Sequence, residues 1–171
     1  MQIVLRLYLL MLQRKQLSKE QALQKLRHFC SYQERCHQEV KEKLYSFQLR
    51  KDVVEESISQ LIEEDYLNEE RFAVQFAGGK FRMKQWGRVR IMHALKEKRV
   101  SQYCINQALK QIDEEAYRET LHKLADKKWN SLASETQLMI RLNKTKMYLL
   151  QKGFEPDQVN AVLKNITLEK N

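Results

Sequence analysis

Residues 40–61 read VKEKLYSFQLRKDVVEESISQL, and this stretch decides the fold because its apolar pattern occurs twice more. The pattern returns 51 positions later in residues 91–112, IMHALKEKRVSQYCINQALKQI. It returns a further 54 positions later in residues 145–166, TKMYLLQKGFEPDQVNAVLKNI, where polar Thr145 and Gln158 weaken the match. A helical period alone does not keep its breaks at the same places, so the repeat indicates one supersecondary unit used three times.

Composition favours helices for this unit. The 171 residues include one Pro and four Gly, which are too few turn formers for a chain of many short strands. Hydrophobic residues make up 43% of the chain, which is enough for a core. We therefore predict an all-α fold, an elongated tandem array of three three-helix repeats. The predicted boundaries are an apolar N-terminal segment over 1–17 and repeats over 18–67, 68–112 and 113–171.

Capping patterns place the helices of the first repeat. Ser18-Lys-Glu-Gln21 and Ser31-Tyr-Gln-Glu34 both have the spacing of a capping box, and Asp52 is a good N-cap residue. These signals predict three helices, over roughly 19–30, 34–48 and 52–65.

Similar signals mark the helices of the second and third repeats. The predicted N-terminal caps are Asn68, Ser101, Asp113 and the capping box Ser134-Glu-Thr-Gln137. Gly87 should interrupt a helix of the second repeat. Gly153 stands where a C′ glycine belongs, and Pro156 stands at a first helical position. The polar connection 127–134 is expected to be mobile.

Charge is distributed unevenly along the chain. The formal net charge is +9, which favours polyanionic partners such as nucleic acid or anionic lipid. Residues 52–70 contain eight carboxylates and no Lys or Arg, whereas residues 80–99 contain eight cations opposed only by Glu97. The two blocks predict two surfaces with different roles, the acidic one facing either solvent or basic patches on a protein partner.

The basic segment 80–99 is the candidate binding surface. It also contains Phe81 and Trp86, and such a mixture of cations and rings suits phosphate contacts and base stacking, although Trp86 could equally belong to the core. The candidate nucleic-acid or filament contacts are Lys80, Arg82, Lys84, Arg88, Arg90, Lys96, Lys98, Arg99, Lys144 and Lys146.

One helix of each repeat carries a pair of these cations, and we expect the pairs to form a stripe if the units stack regularly. The pairs are Lys41 with Lys43, Arg88 with Arg90, and Lys144 with Lys146. Because Arg88 and Arg90 flank the apolar positions, replacing both with Glu is expected to weaken binding without unfolding the protein.

Other classes of site find little support in the sequence. It has no P-loop, GxSxG or HExxH pattern, so we predict no enzyme activity and no cofactor. Cys30, Cys36, His28 and His37 lie close together but lack the paired spacing of a zinc site, and three cysteines without a CxxC indicate a reduced, cytosolic chain. The apolar stretch 1–12 is too short to span a bilayer, so no membrane partner is expected.

At this point the residues resemble a known family. The run YLNEERFA at 66–73 is similar to the G-x-L-D/N-D-E-R-F-A signature of the RecX regulatory proteins. As in that family, Gly87, Arg90-Ile91 and the LKEK run at 95–98 follow it. In the third repeat, Lys146, Tyr148-Leu149 and the KGF run at 152–154 resemble the family's K…YL…R-G-F, so the resemblance covers about 18–166. The family's glycines after Phe47 and Lys98 are missing.

The resemblance implies binding in the groove of the RecA recombinase filament and suppression of RecA activity. We therefore expect a non-enzymatic cytoplasmic regulator of DNA repair, recombination and the SOS response, acting as a monomer on RecA and on DNA of either strand type. The alternative is a stand-alone helical nucleic-acid-binding protein that acts without RecA.

Overall fold

The computed structural model describes residues 17–169, so all but the last residue of the predicted segment 1–17 lies outside the described residues. Residues 17–169 form nine α-helices and no strand, which confirms the all-α prediction. The helices are α1 (Lys19–Tyr32), α2 (His37–Tyr45), α3 (Lys51–Glu63), α4 (Glu69–Lys84), α5 (Arg88–Glu97), α6 (Gln102–Lys110), α7 (Glu114–Asn130), α8 (Leu138–Lys152) and α9 (Pro156–Glu169).

The chain divides into two compact units, which we call unit 1 (residues 1–69) and unit 2 (residues 70–171). In unit 1, α3 packs against both α1 and α2. The three helices enclose one apolar cluster, because each presents its helical-period residues to the same centre. Its buried members are Ala22, Leu23, Leu26, Cys30, Val40, Leu44, Leu49, Val54, Leu61 and Leu67.

Unit 2 contains the remaining helices. α5 packs against α6, and α7, α8 and α9 pack pairwise against one another. Aromatic side chains connect these groups, because the ring of Tyr117 on α7 lies 5.7 Å from that of Phe81 on α4 and 5.1 Å from that of Phe154. The predicted repeat boundaries at 67/68 and 112/113 stay predictions.

The burial pattern agrees with the repeat found in the sequence. Leu44, Leu95 and Leu149 occupy equivalent positions and are fully buried. Thr145, which replaces an apolar residue in the third copy, is also fully buried. Its hydroxyl donates to the Arg141 carbonyl 2.9 Å away, so the polar atom enters the core with its hydrogen bond made.

The turn after the second helix of each repeat has the same backbone conformation. Gln48, Arg99 and Gly153 all adopt positive φ, at 61°, 59° and 89°. They are spaced by the 51 and 54 residues of the sequence repeat. The family's glycines after Phe47 and Lys98 are therefore replaced by residues that keep the left-handed conformation, at a steric cost that glycine avoids.

Several predicted helix ends are confirmed. The Ser18 capping box is formed, and the side chains of Ser101 and Asp113 accept backbone N–H groups at their helix starts. Gly153 ends α8 in the left-handed conformation, and Pro156 is the first residue of α9.

Other predicted helix starts are wrong. The first helix continues through Ser31, whose hydroxyl donates to the Arg27 carbonyl, and α2 begins at His37 after Cys36. The cap of α3 is Arg50 rather than Asp52.

The third repeat departs from its predicted ends as well. The capping box at Ser134 is not formed, because α8 begins at Leu138 after the uncapped Gln137. The first half of the connection 127–134 is helical, since α7 extends to Asn130 and buries Trp129 near its end.

Candidate nucleic-acid interface

The net positive charge of the described residues comes from unit 2. Residues 17–69 carry 8 Lys and Arg against 11 Asp and Glu, a net charge of −3. Residues 70–169 carry 19 against 11, a net charge of +8. Among the described residues, unit 2 therefore carries the net charge that favours a polyanion.

Cations and aromatic rings alternate along the basic segment. Lys98 Nζ lies 5.8 Å from the ring of Phe76, and Lys80 Nζ lies 5.1 Å from the same ring. Lys80 Nζ also lies 5.2 Å from the ring of Trp86, and the Arg90 guanidinium lies 4.2 Å from it. Trp86 is half-buried, so it is neither a core residue nor a freely exposed ring. Each cation is thereby held over a ring face at the surface.

The alternation continues on α7 and α8. Arg90 Nη1 donates to the Gln151 carbonyl at 3.2 Å, and the neighbouring Lys152 donates to the Lys84 carbonyl at 3.2 Å. Lys152 Nζ lies 5.8 Å from the ring of Tyr148 on α8, and the Nζ of Lys128 on α7 lies 5.6 Å from the same ring. We call the whole set the cation–aromatic face; its members are Phe76, Lys80, Trp86, Arg90, Lys98, Lys128, Tyr148 and Lys152.

Rings restrict where these cations can point. A lysine or arginine side chain loses considerable rotamer freedom when it binds an anion. Stacking on a ring removes part of that freedom before the anion arrives, while it leaves N–H donors at the surface. The cation–aromatic face therefore presents cations of restricted conformation at the surface.

Arg88 has a different environment from its neighbour Arg90. Its side chain is only 19% exposed and lies between two carboxylates, 2.6 Å from Glu114 and 3.9 Å from Glu155. Its guanidinium also stacks 4.1 Å over the ring of Tyr117. The sequence-based expectation that Arg88 merely flanks the packed positions is wrong, because this side chain connects three elements of unit 2.

Tyr117 is the centre of these contacts. Its hydroxyl accepts the Arg88 backbone N–H at 3.0 Å and donates to Glu155 at 2.6 Å. Burial, together with the hydrogen bond to Glu155, raises the pKa of the Tyr117 phenol far above its usual range. Arg88 in turn lowers the pKa of Glu114 by hydrogen bonding to its charged form. We call Arg88, Glu114, Tyr117 and Glu155 the Tyr117 network.

In each of the other two cation pairs of the predicted stripe, one cation also forms an ion pair with an acid. Lys144 donates to Glu135 at 2.9 Å and lowers the pKa of that carboxyl. Lys41 donates to Glu55 at 2.5 Å. Lys146 lines an apolar groove on α8. One cation of each pair thus pairs with a nearby acid.

The remaining predicted contacts lie around the cation–aromatic face. Arg82, Lys84, Lys96 and Arg99 are exposed. Their exposure is compatible with binding and does not test it, so their role stays a prediction.

Two glycines bring the second and third repeats into backbone contact. The Gly87 N–H donates to the Lys152 carbonyl at 2.8 Å, and the Val89 N–H donates to the Gly153 carbonyl at 3.0 Å. A Cβ atom on Gly87 would lie 2.2 Å from the Gly153 carbonyl carbon, and one on Gly153 would lie 2.3 Å from the Arg90 Cβ. Only glycine fits at either position. We call this contact the glycine clasp; it holds Arg90 and Lys152 on one surface.

The sequence prediction missed Phe76, Lys128, Tyr148 and Lys152 as members of the face. Phe81, which it offered as a stacking ring, is instead buried against Tyr117. Tyr148 and Lys152 belong to the third-repeat residues that resemble the RecX pattern, so that pattern carried the signal. Lys128 lies on another helix, and no local spacing connects it to Tyr148.

Metal and membrane sites find no support in residues 17–169. Within that range no group of three or more His, Cys, Asp or Glu side chains could hold a metal ion. None of the helices described there is long and apolar enough to cross a membrane.

Comparison with known proteins assigns the chain to a family. Residues 68–109 match the family model of the RecX second three-helix domain, and residues 115–163 match that of the RecX third three-helix domain. The chain belongs to the RecX family. Its fold resembles the crystal structure of RecX from Lactobacillus salivarius with a TM-score of 0.80 and 26% identity, covering 88% of this chain and 97% of that one.

Curated RecX proteins give the same assignment. The Regulatory protein RecX of Clostridium perfringens strain 13 is 32% identical over 130 residues, which are 75% of this chain and 60% of that protein. The Regulatory protein RecX of Oceanobacillus iheyensis is 28% identical over 81% of this chain and 51% of that protein. This RecX-family chain thus spans about half to 60% of the length of these relatives.

Proposed function

We propose that this chain is a regulator that binds the RecA recombinase filament and inhibits its recombinase and ATPase activities. The relatives' name, Regulatory protein RecX, supports a regulatory role. In this proposal the chain acts as a cytoplasmic monomer that modulates DNA repair and recombination. It acts by occupying a surface and carries out no chemical step.

The cation–aromatic face is the observation that supports contact with DNA. Lys80, Arg90, Lys98, Lys128 and Lys152 present charge to phosphates, which gives affinity for any sequence. The half-buried rings of Phe76, Trp86 and Tyr148 hold these cations in place. A chain held along the DNA of a filament would obstruct strand exchange and filament growth.

The predicted contacts divide into four groups under this proposal. Arg90, Lys80 and Lys98 bind phosphate directly, and the exposed Arg82, Lys84, Lys96 and Arg99 add long-range attraction. Arg88 and Lys144 act through the fold, because both are paired with acids of unit 2. Lys146 belongs to a separate groove.

The first experiment measures DNA-dependent ATP hydrolysis by RecA with and without the chain, at amounts well below saturation of the DNA. A filament regulator inhibits at these amounts. The alternative, a stand-alone nucleic-acid-binding protein, inhibits only when it covers the DNA and competes for sites. Inhibition that tracks DNA coverage alone would reject the proposal in favour of that alternative.

The second experiment tests the DNA contact by itself. If about four to six phosphates are neutralised, a plot of log affinity against log salt should have a slope of about −3 to −5. Removing one contact by Lys80→Ala should make the slope about one unit shallower. Affinity that does not change with salt would exclude this face as the DNA site.

A further inference from the structure

Unit 2 has a second unusual surface, at the start of α8. Leu138, Met139 and Ile140 are consecutive and all exposed, with Met139 75% exposed. The only buried residues of α8 are Thr145 and Leu149, so its first two turns contribute little to the core. A run of exposed apolar residues is uncommon on a protein that has no partner there.

The exposed run borders a groove. The groove has a volume of about 650 Å³, and its lining is mostly apolar. Met139, Ile140, Leu142 and Leu163 line it together with Asn143, Lys144 and Lys146. Methionine adapts its shape to an incoming side chain, and grooves between helices commonly receive an amphipathic helix.

The charge around the groove selects the kind of helix. The sequence of α8, LMIRLNKTKMYLLQK, contains four cations and no acidic residue. Lys144 and Lys146 border the apolar floor, and the acid that approaches them is Glu135, which pairs with Lys144. Carboxylates beside an apolar anchor would complement this rim.

We propose that this groove binds an acidic amphipathic helix of a partner protein. Apolar side chains spaced three and four residues apart would enter the groove, and the carboxylates flanking them would contact Lys146, since Lys144 is already paired with Glu135. A second copy of this chain does not supply such a helix. Its acidic helix α3 buries Val54 and Leu61 in the core of unit 1. The site is separate from the cation–aromatic face and does not depend on DNA.

The test uses the full chain and a labelled peptide. A designed helix of about 18 residues, about 27 Å long, carries Leu at i, i+3, i+4 and i+7 positions and Glu elsewhere. Its fluorescence anisotropy should rise saturably with protein. The double variant Met139→Gln with Ile140→Gln, and Lys146→Glu separately, should each weaken binding about tenfold.

Met83→Gln is the matched control. Met83 is 81% exposed on α4, outside the groove, so this variant should bind the peptide as the wild type does. All four substituted residues are at least partly exposed, and circular dichroism melting should confirm that each variant folds.

Three results would overturn the proposal. The peptide could bind equally well to the Met139→Gln, Ile140→Gln variant. A peptide with Lys in place of Glu could bind as tightly as the acidic one. Finally, the groove variants could lose binding to anionic lipid vesicles while the peptide fails to bind, which would assign the surface to a membrane.

The same variants keep this proposal distinct from the proposed function. Met139→Gln with Ile140→Gln should leave the salt-dependent DNA affinity unchanged. Arg90→Glu should weaken DNA binding and leave peptide binding unchanged. Each surface can therefore be rejected while the other stands.

Discussion

Unit 1 and unit 2 use their cations differently. In unit 1 the acids on and just after α3 take up the cations of α1 and α2, because Glu56 pairs with Lys19, Glu64 with Arg27 and Glu55 with Lys41. In unit 2, Arg88 and Lys144 are also paired with acids, but five cations lie against aromatic rings: Lys80, Arg90, Lys98, Lys128 and Lys152. Among the described residues of unit 1, Arg35 and Lys43 lie over rings, those of Phe29 and Phe47. An ion pair leaves little net charge for a partner, whereas a ring leaves the charge of the cation intact.

The same repeat thus supports two kinds of surface. The buried apolar positions agree between the units, while the exposed positions differ. The acidic segment 52–70 was expected to face either solvent or a protein partner, and the structure shows a third arrangement in which several of its acids pair within unit 1. The comparison teaches that the repeat specifies the core and that the choice of acid or ring beside each cation specifies the surface.

The largest expected effect tests the shared core. Leu95→Ala should lower the free energy of unfolding by about 2–5 kcal/mol, because it leaves a cavity at a fully buried site. Leu44→Ala in unit 1 and Leu149→Ala should behave alike. Denaturant unfolding measures all three, and a tolerant Leu44→Ala would show that the units do not share one packing scheme.

The next effect separates the two arginines of unit 2. Arg88→Glu breaks the Tyr117 network and should lower the free energy of unfolding by about 1.5–3 kcal/mol. Arg90→Glu should lower it by only about 0.5–1.5 kcal/mol, because that side chain is exposed and loses one hydrogen bond to the Gln151 carbonyl and one stacking contact with Trp86. We therefore expect the replacement to be tolerated at Arg90 but not at Arg88. Thermal unfolding of the two single variants tests this difference. Equal melting temperatures for Arg88→Glu and Arg90→Glu would contradict it.

A slightly smaller effect tests the glycine clasp, for which unit 1 has no counterpart among its described contacts. Gly87→Ala should cost about 1–3 kcal/mol, because the new methyl group would overlap the Gly153 backbone. Gly79→Ala is the control, since nothing lies within 4 Å of a Cβ at that position in α4. Ala in a helix interior is favoured over Gly, so this control should be stabilised by up to about 1 kcal/mol. If Gly87→Ala and Gly79→Ala were destabilised equally, overlap at the clasp would not be the cause of the lost stability.

Neutralising the acids of unit 1 should free its cations to bind phosphate, as we propose for those of unit 2. Replacing Glu55, Glu56 and Glu64 with Gln releases three cations from their ion pairs. We expect DNA binding to become several-fold tighter, with a steeper salt dependence, because more cations can reach phosphates. Filter-binding titrations at two salt concentrations measure this. Weaker DNA binding by the variant would place these acids inside the binding site.

The smallest effect is the pH dependence that Glu64 contributes to the stability of unit 1. Hydrogen bonds from Arg27, and then from Gln60, lower the pKa of Glu64 from 4.5 to about 2. A folded-state pKa below the unfolded value adds stability that is complete above the unfolded pKa and is lost as pH falls from about 5 toward 2. Because Glu64 is exposed, the effect should be small. Denaturant unfolding of wild type and Glu64→Gln between pH 6 and about 2 should converge at low pH; a constant difference would exclude the ion pair.

The helix ends that depend on residues close together in the chain could be predicted from the sequence. The caps at Ser18, Ser101 and Asp113 follow from contacts three residues apart, and Gly153 follows from the conformation that it alone tolerates without strain. Ser31 misleads because the apolar period through Cys30 extends α1 past it. A helical period that buries side chains outweighs one cap.

The Tyr117 network lies beyond such a prediction. Tyr117 is 29 residues from Arg88 and 38 from Glu155, so no local spacing brings them together. The same holds for Lys128 and Tyr148 on separate helices. Charge composition found the basic segment, but only the packed chain distinguishes a cation over a ring from one between carboxylates.

The glycine clasp has a consequence for how the chain can be divided. Its two hydrogen bonds connect the start of α5 to the end of α8. The chain from α5 to α8 is therefore a loop whose two ends are hydrogen-bonded to each other. A cut between Ile112 and Asp113 falls inside that loop. One fragment would keep the two N–H donors of the clasp, and the other would keep the two carbonyl acceptors. Such fragments would fold by complementing each other in a mixture, and neither would behave as an independent module on its own.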